Sequence, residues 1–336
     1  MSRYSRQVLF PKIGEAGQKR LRAARVLLVG CGALGTHLAE FCVRAGVGEL
    51  TIIDRDVIEA SNLQRQTLFT EADLREALPK AEAARRHLAD INSDVKVSAV
   101  VGEFNGANAE KLAKGASLIL DATDNFETRL LINDVAVKHS IPWIYAACVG
   151  STAAAMPILP GQTACLACLL EALPAAGGET CETAGIIMPA VLAAVSLAAV
   201  EALKILSGDE KAVIAKLKTV DLWTGERTQI DAAKPRKDCP CCGGRKFEYL
   251  AGKSAASAAA LCGRDSVQLR AEGKFDFKAA RTRLAKAAKP VASNDFLTRV
   301  GYEGLELTLF ADGRALVHGT TDIPRAKSLY AKLVGS

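Results

Sequence analysis

The first residues of the chain lack the make-up of a secretory signal: MSRYSRQVLFPK carries Arg3 and Arg6 with no apolar segment behind them. A cytoplasmic, reducing setting is therefore expected. The apolar run from Ala184 to Val200 spans 17 residues, contains Pro189, and is followed at once by Glu201 and Lys204. That is short for a bilayer span and predicts a buried helix, with no membrane partner. No internal repeat is present. Apolar residues make up 49% and charged residues 24% of the 336 residues, the balance of a globular protein. The length suits one large α/β domain and a smaller one.

Ten cysteines in a chain without a leader argue against a disulfide framework and for metal ligands or reactive thiols. The net charge of +6 is unevenly placed: residues 234 to 289 hold 14 Lys and Arg against 5 Asp and Glu, a local +9 that leaves −3 elsewhere. Such a patch can meet nucleic acid or an acidic protein. No nucleic-acid-binding motif accompanies it, so it reads as a solvated, Lys-rich surface, and nucleic acid is not an expected partner.

A polar arm, residues 1–24, precedes a first strand at Arg25 to Gly30. Further apolar runs at Glu49 to Asp54, Val95 to Val101, Ser117 to Thr123 and Pro142 to Cys148 read as buried strands, with amphipathic helical runs between them. This alternation predicts a doubly wound, mostly parallel, Rossmann-like α/β sheet covered on both faces. From Ser151 the pattern changes: two cysteine pairs bracket a long apolar helix and one further strand in LKTVDLWTGERTQID. The large domain is placed at 1–245. An Ala-rich linker follows at 246–263, then a small α+β domain at 264–336, in which ADGRA supplies a hairpin turn.

Gly30-Cys31-Gly32-Ala33-Leu34-Gly35 follows a strand and opens a helix, so backbone N–H groups can approach a phosphate. Asp54 closes the next strand, 19 residues past Gly35, where an acid can bond ribose hydroxyls. These residues predict a nucleotide site without choosing between NAD and ATP. Asn62, Gln64 and Arg65 lie beyond the second strand, Lys80 in LPKAEAA, and Asp121, Asp124 and Asn125 at the end of a later strand. In an open α/β sheet these strand ends face the ligand crevice. Two cations and two acids there suit a triphosphate with Mg²⁺ better than a nicotinamide ring. Singly, each is ordinary: a Lys before a helix is usually solvated, and an Asp after a strand is usually a cap.

Cys165-Leu-Ala-Cys168 and Cys239-Pro-Cys-Cys242 form two CxxC knuckles, the spacing of a tetrahedral structural Zn²⁺ site. Cys241, inside the second knuckle, leaves an alternate ligand register open. Cys31, Cys42, Cys148 and Cys262 read as small apolar residues.

RYSRQ, GCGALG, NLQRQ, PKAEAA, DATDN and CETAG together resemble the ThiF/MoeB/HesA group of adenylyltransferases, within the ubiquitin-activating enzyme superfamily, from about Arg3 to Gly244. The resemblance implies a homodimer that binds ATP and Mg²⁺. Its implied reaction adenylates the C-terminal glycine of a ubiquitin-like sulfur-carrier protein ending in Gly-Gly, of the thiamine, molybdopterin or RNA-thiolation type. A sulfur donor such as a cysteine desulfurase would follow. By position, Gly30, Gly32 and Gly35 would line the nucleotide and Asp54 would hold the ribose. Asn62, Arg65 and Lys80 would contact phosphates beside Gln64, Asp124 would bind Mg²⁺ beside Asn125, and Arg6 would reach the partner subunit's site.

The resemblance also makes Cys181 the thiol that, in some members, links covalently to the carrier. An unused cysteine stays open as the alternative, because GGETCETAG has a loop-like lead-in but no basic neighbour to activate the thiol. Two rivals remain. An NAD-dependent oxidoreductase rests only on the glycine fingerprint and Asp54. A non-catalytic scaffold subunit is opposed by the presence of Arg6, Arg65, Lys80 and Asp124. The tail beyond Gly244 has no Cys after Cys262 and does not end in Gly-Gly, so neither a rhodanese domain nor a fused carrier is expected there.

Overall fold

The computed structural model describes residues 3–170, 184–252, 258–261, 265–270 and 275–335. They form two compact units, Met1–Glu71 with Pro79–Lys253, and Ala72–Leu78 with Ser254–Ser336.

The first unit opens with α1 (Ser5–Val8) and α2 (Gly14–Ala23). Tyr4 pins this arm: its ring lies under Arg22, and its hydroxyl accepts from Asn92 Nδ2 at 2.8 Å. The strands β1 (Arg25–Val29), β2 (Glu49–Asp54), β3 (Lys96–Val101), β4 (Leu118–Asp121) and β5 (Trp143–Val149) pair in parallel in the order β3-β2-β1-β4-β5. Between them run α3 (Ala33–Ala45), α4 (Glu71–Arg75), α5 (Lys80–Ile91), α6 (Ala109–Ala113) and α7 (Phe126–His139). Strand β1 is buried from Val26 to Val29, each large side chain contributing about 1.5–3 kcal/mol. Strand β3, expected as fully buried, is only partly so, because it has a neighbour on one side alone.

Three antiparallel strands extend the sheet: β6 (Thr152–Ile158), β7 (Lys216–Asp221) and β8 (Arg227–Asp231). Strand β6 went unread in the sequence because its alanines carry little β propensity; pairing on both edges makes it a strand. The single strand expected in LKTVDLWTGERTQID is instead a hairpin, turned at Gly225 with φ +80°. Helices α8 (Leu166–Leu170) and α9 (Met188–Ser207) complete the unit. By length and composition α9 is apolar enough to cross a membrane, but it packs on β5, β6 and α3. Its Glu201 is buried between Lys204 and Lys218, at 3.0 and 2.8 Å.

The second unit holds β9 (Ala258–Leu261), β10 (Ser266–Arg270), α10 (Phe277–Ala287), β11 (Lys289–Ser293), β12 (Leu297–Tyr302), β13 (Leu305–Phe310), β14 (Arg314–His318) and α11 (Ile323–Leu333). Its sheet runs β11-β12-β13-β14-β10-β9, antiparallel throughout. Asp276 and Asp322 cap the two helices by accepting from Ala279 and Arg325 N–H groups. The expected turn of ADGRA is present, with Gly313 at φ +85°. Within 246–263, read as linker, the structure differs. Tyr249 and Leu250 donate backbone N–H groups to buried Asp134, and Ala258–Leu261 pairs with β10.

Candidate functional site

The chain runs β1 to β2 to β3 on one side of the sheet, then returns to place β4 on the other side of β1. The carboxyl ends of β1 and β4 are thus the topological switch point, where an open α/β sheet has its crevice. Gly30 leaves β1 with φ +92°, and a Cβ there would lie 2.5 Å from the Ala122 carbonyl. Gly35 backs onto the carbonyl of Gly30 in the same way. These two glycines serve the close approach of the two strand exits. Gly32 differs: it stands at the N-cap of α3, and a Cβ there would meet nothing nearer than Gln66 Nε2 at 3.7 Å. The N-terminus of a 13-residue helix therefore opens onto space in front of Gly32.

Asp54 braces this loop. Its Oδ2 accepts from Cys31 N–H at 2.6 Å and its Oδ1 from Asp56 N–H at 2.7 Å. Burial pushes its carboxyl above the usual value, opposed first by the charge of Lys80. Lys80 begins α5 and is 5% exposed, with Nζ 3.3 Å from Asp56 Oδ2. Its charge also acts on Cys31, so it belongs to the neighbourhood of the glycine loop. Asp56 was missed in the sequence; the signal was a second acid two residues past Asp54.

Asn62 is buried and engaged locally. Its Oδ1 accepts from Glu59 N–H at 3.1 Å, in a reciprocal capping box on a short 3₁₀ turn. Arg65 is half-buried, its Nη1 donating to the Ser61 carbonyl at 2.8 Å, and Gln64 is exposed. Gln66, not singled out in the sequence, is buried, and its Oε1 meets no partner among the described residues. A buried amide oxygen without a donor, in the side chain nearest Gly32, marks it as a candidate nucleotide contact.

At the exit of β4, Asp121 and Asp124 separate into two roles. Asp121 is fully buried: its Oδ1 accepts from the Thr123 N–H and hydroxyl at 2.9 and 2.7 Å, and its Oδ2 lies 3.3 Å from Arg129 Nε. Burial pushes its carboxyl up, with Arg129 as the main opposing influence. Arg129, also unread in the sequence, donates to the Thr123 carbonyl at 2.7 Å and lies against the rings of Phe126 and Tyr145. This buried pair ties the loop after β4 to α7. Asn125 caps α7 by accepting from Thr128 N–H at 2.8 Å. Asp124 is exposed, its Oδ1 accepting from Asn125 Nδ2 at 3.5 Å. An exposed carboxylate at the exit of a strand is a hard oxygen donor of the kind that Mg²⁺ takes.

Arg6 is exposed on α1. Cys181, with Cys262, lies outside the described residues.

The cysteine cluster is assembled from both knuckles. The Sγ atoms of Cys165, Cys168, Cys239 and Cys242 lie within 4.8 Å of one another, with separations of 3.8, 3.7 and 3.4 Å for the pairs 165–168, 165–239 and 168–242. A tetrahedron with Zn–S bonds of about 2.3 Å has edges of about 3.8 Å, so the four sulfurs fit that ion. Cys165 beside it and burial hold the Cys168 thiol up at about 12. A divalent cation would reverse that preference by binding the thiolate. Cys241 is not one of the four: its thiol acts on Cys165 beside it, accepts from Asn133 Nδ2 at 3.2 Å and donates to Asp134 Oδ1 at 3.4 Å. Asn133 Oδ1 in turn accepts from Leu166 N–H at 2.9 Å, so one buried amide ties both knuckles together.

The ThiF family model matches residues 4–241. The chain is 49% identical over 336 residues to the sulfur carrier protein ThiS adenylyltransferase of Bacillus subtilis (strain 168), covering 99% of each. It is 36% identical over 245 residues to the sulfur carrier protein ThiS adenylyltransferase of Escherichia coli (strain K12), covering 72% of this chain and 95% of that one. Among solved structures, E. coli MccB with ATP aligns at a TM-score of 0.63 and 25% identity, covering 72% of this chain and 75% of that one.

Proposed function

The chain belongs to the ThiF family, and from that premise we propose that it adenylates the C-terminal glycine carboxylate of a ubiquitin-like sulfur-carrier protein ending in Gly-Gly. One observation carries the reading beyond membership. The open N-terminus of α3 at Gly32, the buried ammonium of Lys80 and the exposed carboxylate of Asp124 all belong to the loops and helix starts that follow β1, β2 and β4 beside the switch point. The same nucleotide chemistry is in the name of the solved relative, MccB with ATP. The full-length relative named for ThiS favours a thiamine-type carrier.

In this reaction a carrier carboxylate oxygen bonds to the α-phosphorus of ATP as the bond to the β-phosphate oxygen breaks, giving carrier–CO–AMP and pyrophosphate. The attacking carboxylate is ionised at neutral pH, so the chain needs no general base. Negative charge grows on the equatorial and leaving oxygens. Lys80 supplies a cation already held in place, and the first N–H groups of α3 supply aligned donors. Arg65 adds a second cation from the loop after β2, and Gln66 offers its amide. Asp54 keeps the glycine loop in shape and is the group closest in kind to a ribose ligand. Asp124, with Asn125 beside it, would hold Mg²⁺, which when bound neutralises phosphate charge. Arg6 would complete the partner subunit's site in a homodimer, and the cysteine cluster would hold a structural Zn²⁺. A sulfur donor such as a cysteine desulfurase then displaces AMP, in the cytoplasm.

The test is ATP–pyrophosphate exchange with each small Gly-Gly-ending protein of the source organism. Exchange should require one such carrier and vanish when its last residue is deleted. Equal exchange with free amino acids would overturn the reading.

A further inference from the structure

Gln66 is 3% exposed, and its Oε1 meets no hydrogen-bond partner among the described residues. We propose that Gln66 reads the ribose of the bound nucleotide, its Oε1 accepting from a sugar hydroxyl. This rests on ATP binding at the start of α3 and adds a choice of sugar that the adenylation reading leaves open.

Both backbone groups of Gln66 are paired. Its N–H donates to the Asn62 carbonyl at 3.0 Å, and its carbonyl accepts from Phe69 N–H at 3.1 Å. Leu68 and Phe69 are buried, and the Thr67 hydroxyl lies 3.4 Å from His37 Nδ1, on the second turn of α3. The loop after β2 is thereby fastened along α3, and only the Gln66 side chain is left with an unmet polar group.

That side chain sits where a ligand is expected. Its Nε2 is nearest Gly32, where a Cβ would lie 3.7 Å from it and meet nothing closer. The amide therefore lies beside the open N-terminus of a 13-residue helix. An acceptor buried without a donor destabilises the fold, and an apolar side chain of the same length would remove that penalty. The oxygen is explained when the ligand brings the donor.

The chemistry of ATP narrows what that donor is. Ionised phosphates carry only acceptors, so they take the N–H groups of α3 and offer nothing to Oε1. Donors sit on the ribose, as hydroxyls, and on the adenine, as an amino group. The ribose adjoins the α-phosphate, whereas the adenine lies a whole sugar farther on. A side chain beside the phosphate-binding turn therefore meets a hydroxyl first. Asp54 faces the same sugar with oxygens that already accept from Cys31 and Asp56 N–H groups. Asp54 and Gln66 then take one hydroxyl each.

The experiment measures binding of ATP, 2′-deoxy-ATP and 3′-deoxy-ATP, each with Mg²⁺, to the full-length, zinc-loaded chain by calorimetry, which needs no carrier. The wild type should bind each deoxynucleotide about tenfold more weakly than ATP, or worse. Gln66→Met should bind ATP about tenfold more weakly, and its preference over one of the two deoxynucleotides should vanish, Asp54 keeping the other. Without nucleotide this variant should melt no lower than the wild type, because the orphaned oxygen is gone. Gln66→Glu, which keeps the acceptor and loses the donor, should bind ATP more weakly yet keep both preferences, and it carries the test if Gln66→Met does not fold. Unchanged ATP affinity in Gln66→Met would overturn the proposal, and so would both preferences surviving there; a water would then be the partner of Oε1. Purine riboside triphosphate, which lacks the adenine amino group, is the control. If Gln66→Met loses discrimination against it and not against a deoxynucleotide, the contact is to the base and this proposal alone fails. A wild type that binds no ATP would sink the nucleotide reading itself.

Discussion

Lys80 Nζ lies 3.3 Å from Asp56 Oδ2, and the Lys80 N–H donates to the carbonyl of the same aspartate at 2.9 Å. One residue thus holds both the side chain and the helix start. A buried ammonium is costly without an anion, and Asp56 lets the cation stay dry and in place. For the phosphate contact proposed for Lys80 this would be pre-organisation, the charge needing little rearrangement as the transition state forms.

From this follows a division of labour that two variants can separate. Lys80→Ala should lower ATP–pyrophosphate exchange on the order of 10²-fold or more through lost charge stabilisation. Cys181→Ala should leave exchange nearly intact; if Cys181 is the thiol that links to the carrier, the variant should also lower sulfur transfer and lose any carrier adduct that hydroxylamine or reductant releases, and if it changes neither step the cysteine is unused. An assay of final product alone would score both as defective. Loss of exchange in Cys181→Ala, with fold and zinc content unchanged, would place that thiol in the adenylation chemistry.

The sulfur cluster should bind one zinc per chain, and Cys168→Ser should lose the metal and melt at a lower temperature. Asn133→Ala should weaken zinc about 10- to 100-fold, because the amide that orients both knuckles is gone while every ligand remains. Competition against a chromophoric chelator reads this directly. Metal analysis of freshly purified, unchelated wild type that finds no zinc would refute the assignment.

Arg6 should act across a dimer. Arg6→Ala and Asp124→Ala should each abolish exchange, and mixing them should restore part of it, since a heterodimer contains one intact site. Activity that stays absent after proven subunit exchange would put Arg6 in its own site or out of the reaction.

Local pattern alone determined a large share of this protein. The parallel strands were legible because buried strands must be apolar along their length, and each run between turn signals needs only its own residues to be recognised. The glycine loop and the paired cysteines were legible for a related reason: a close approach of two strand exits and a cluster of four sulfurs both impose fixed spacings on the chain. Helix α9 was readable as core because Glu201 and Lys204 follow its apolar run, and the ion pairs of Glu201 now give the reason.

Packing decided the rest. Asp121 and Asp124, three residues apart and alike in the sequence, differ because one is buried against Arg129 and the other is exposed. Cys241, inside the second knuckle, finds its hydrogen-bond partners in Asn133 and Asp134, more than a hundred residues away. Ala77 adopts a conformation that its own side chain disfavours, under a hydrogen bond from Asn294, 217 residues further along. Contacts between distant segments leave no period and no spacing in the chain; they exist only once burial has made each unpaired polar group and each strained dihedral find a partner.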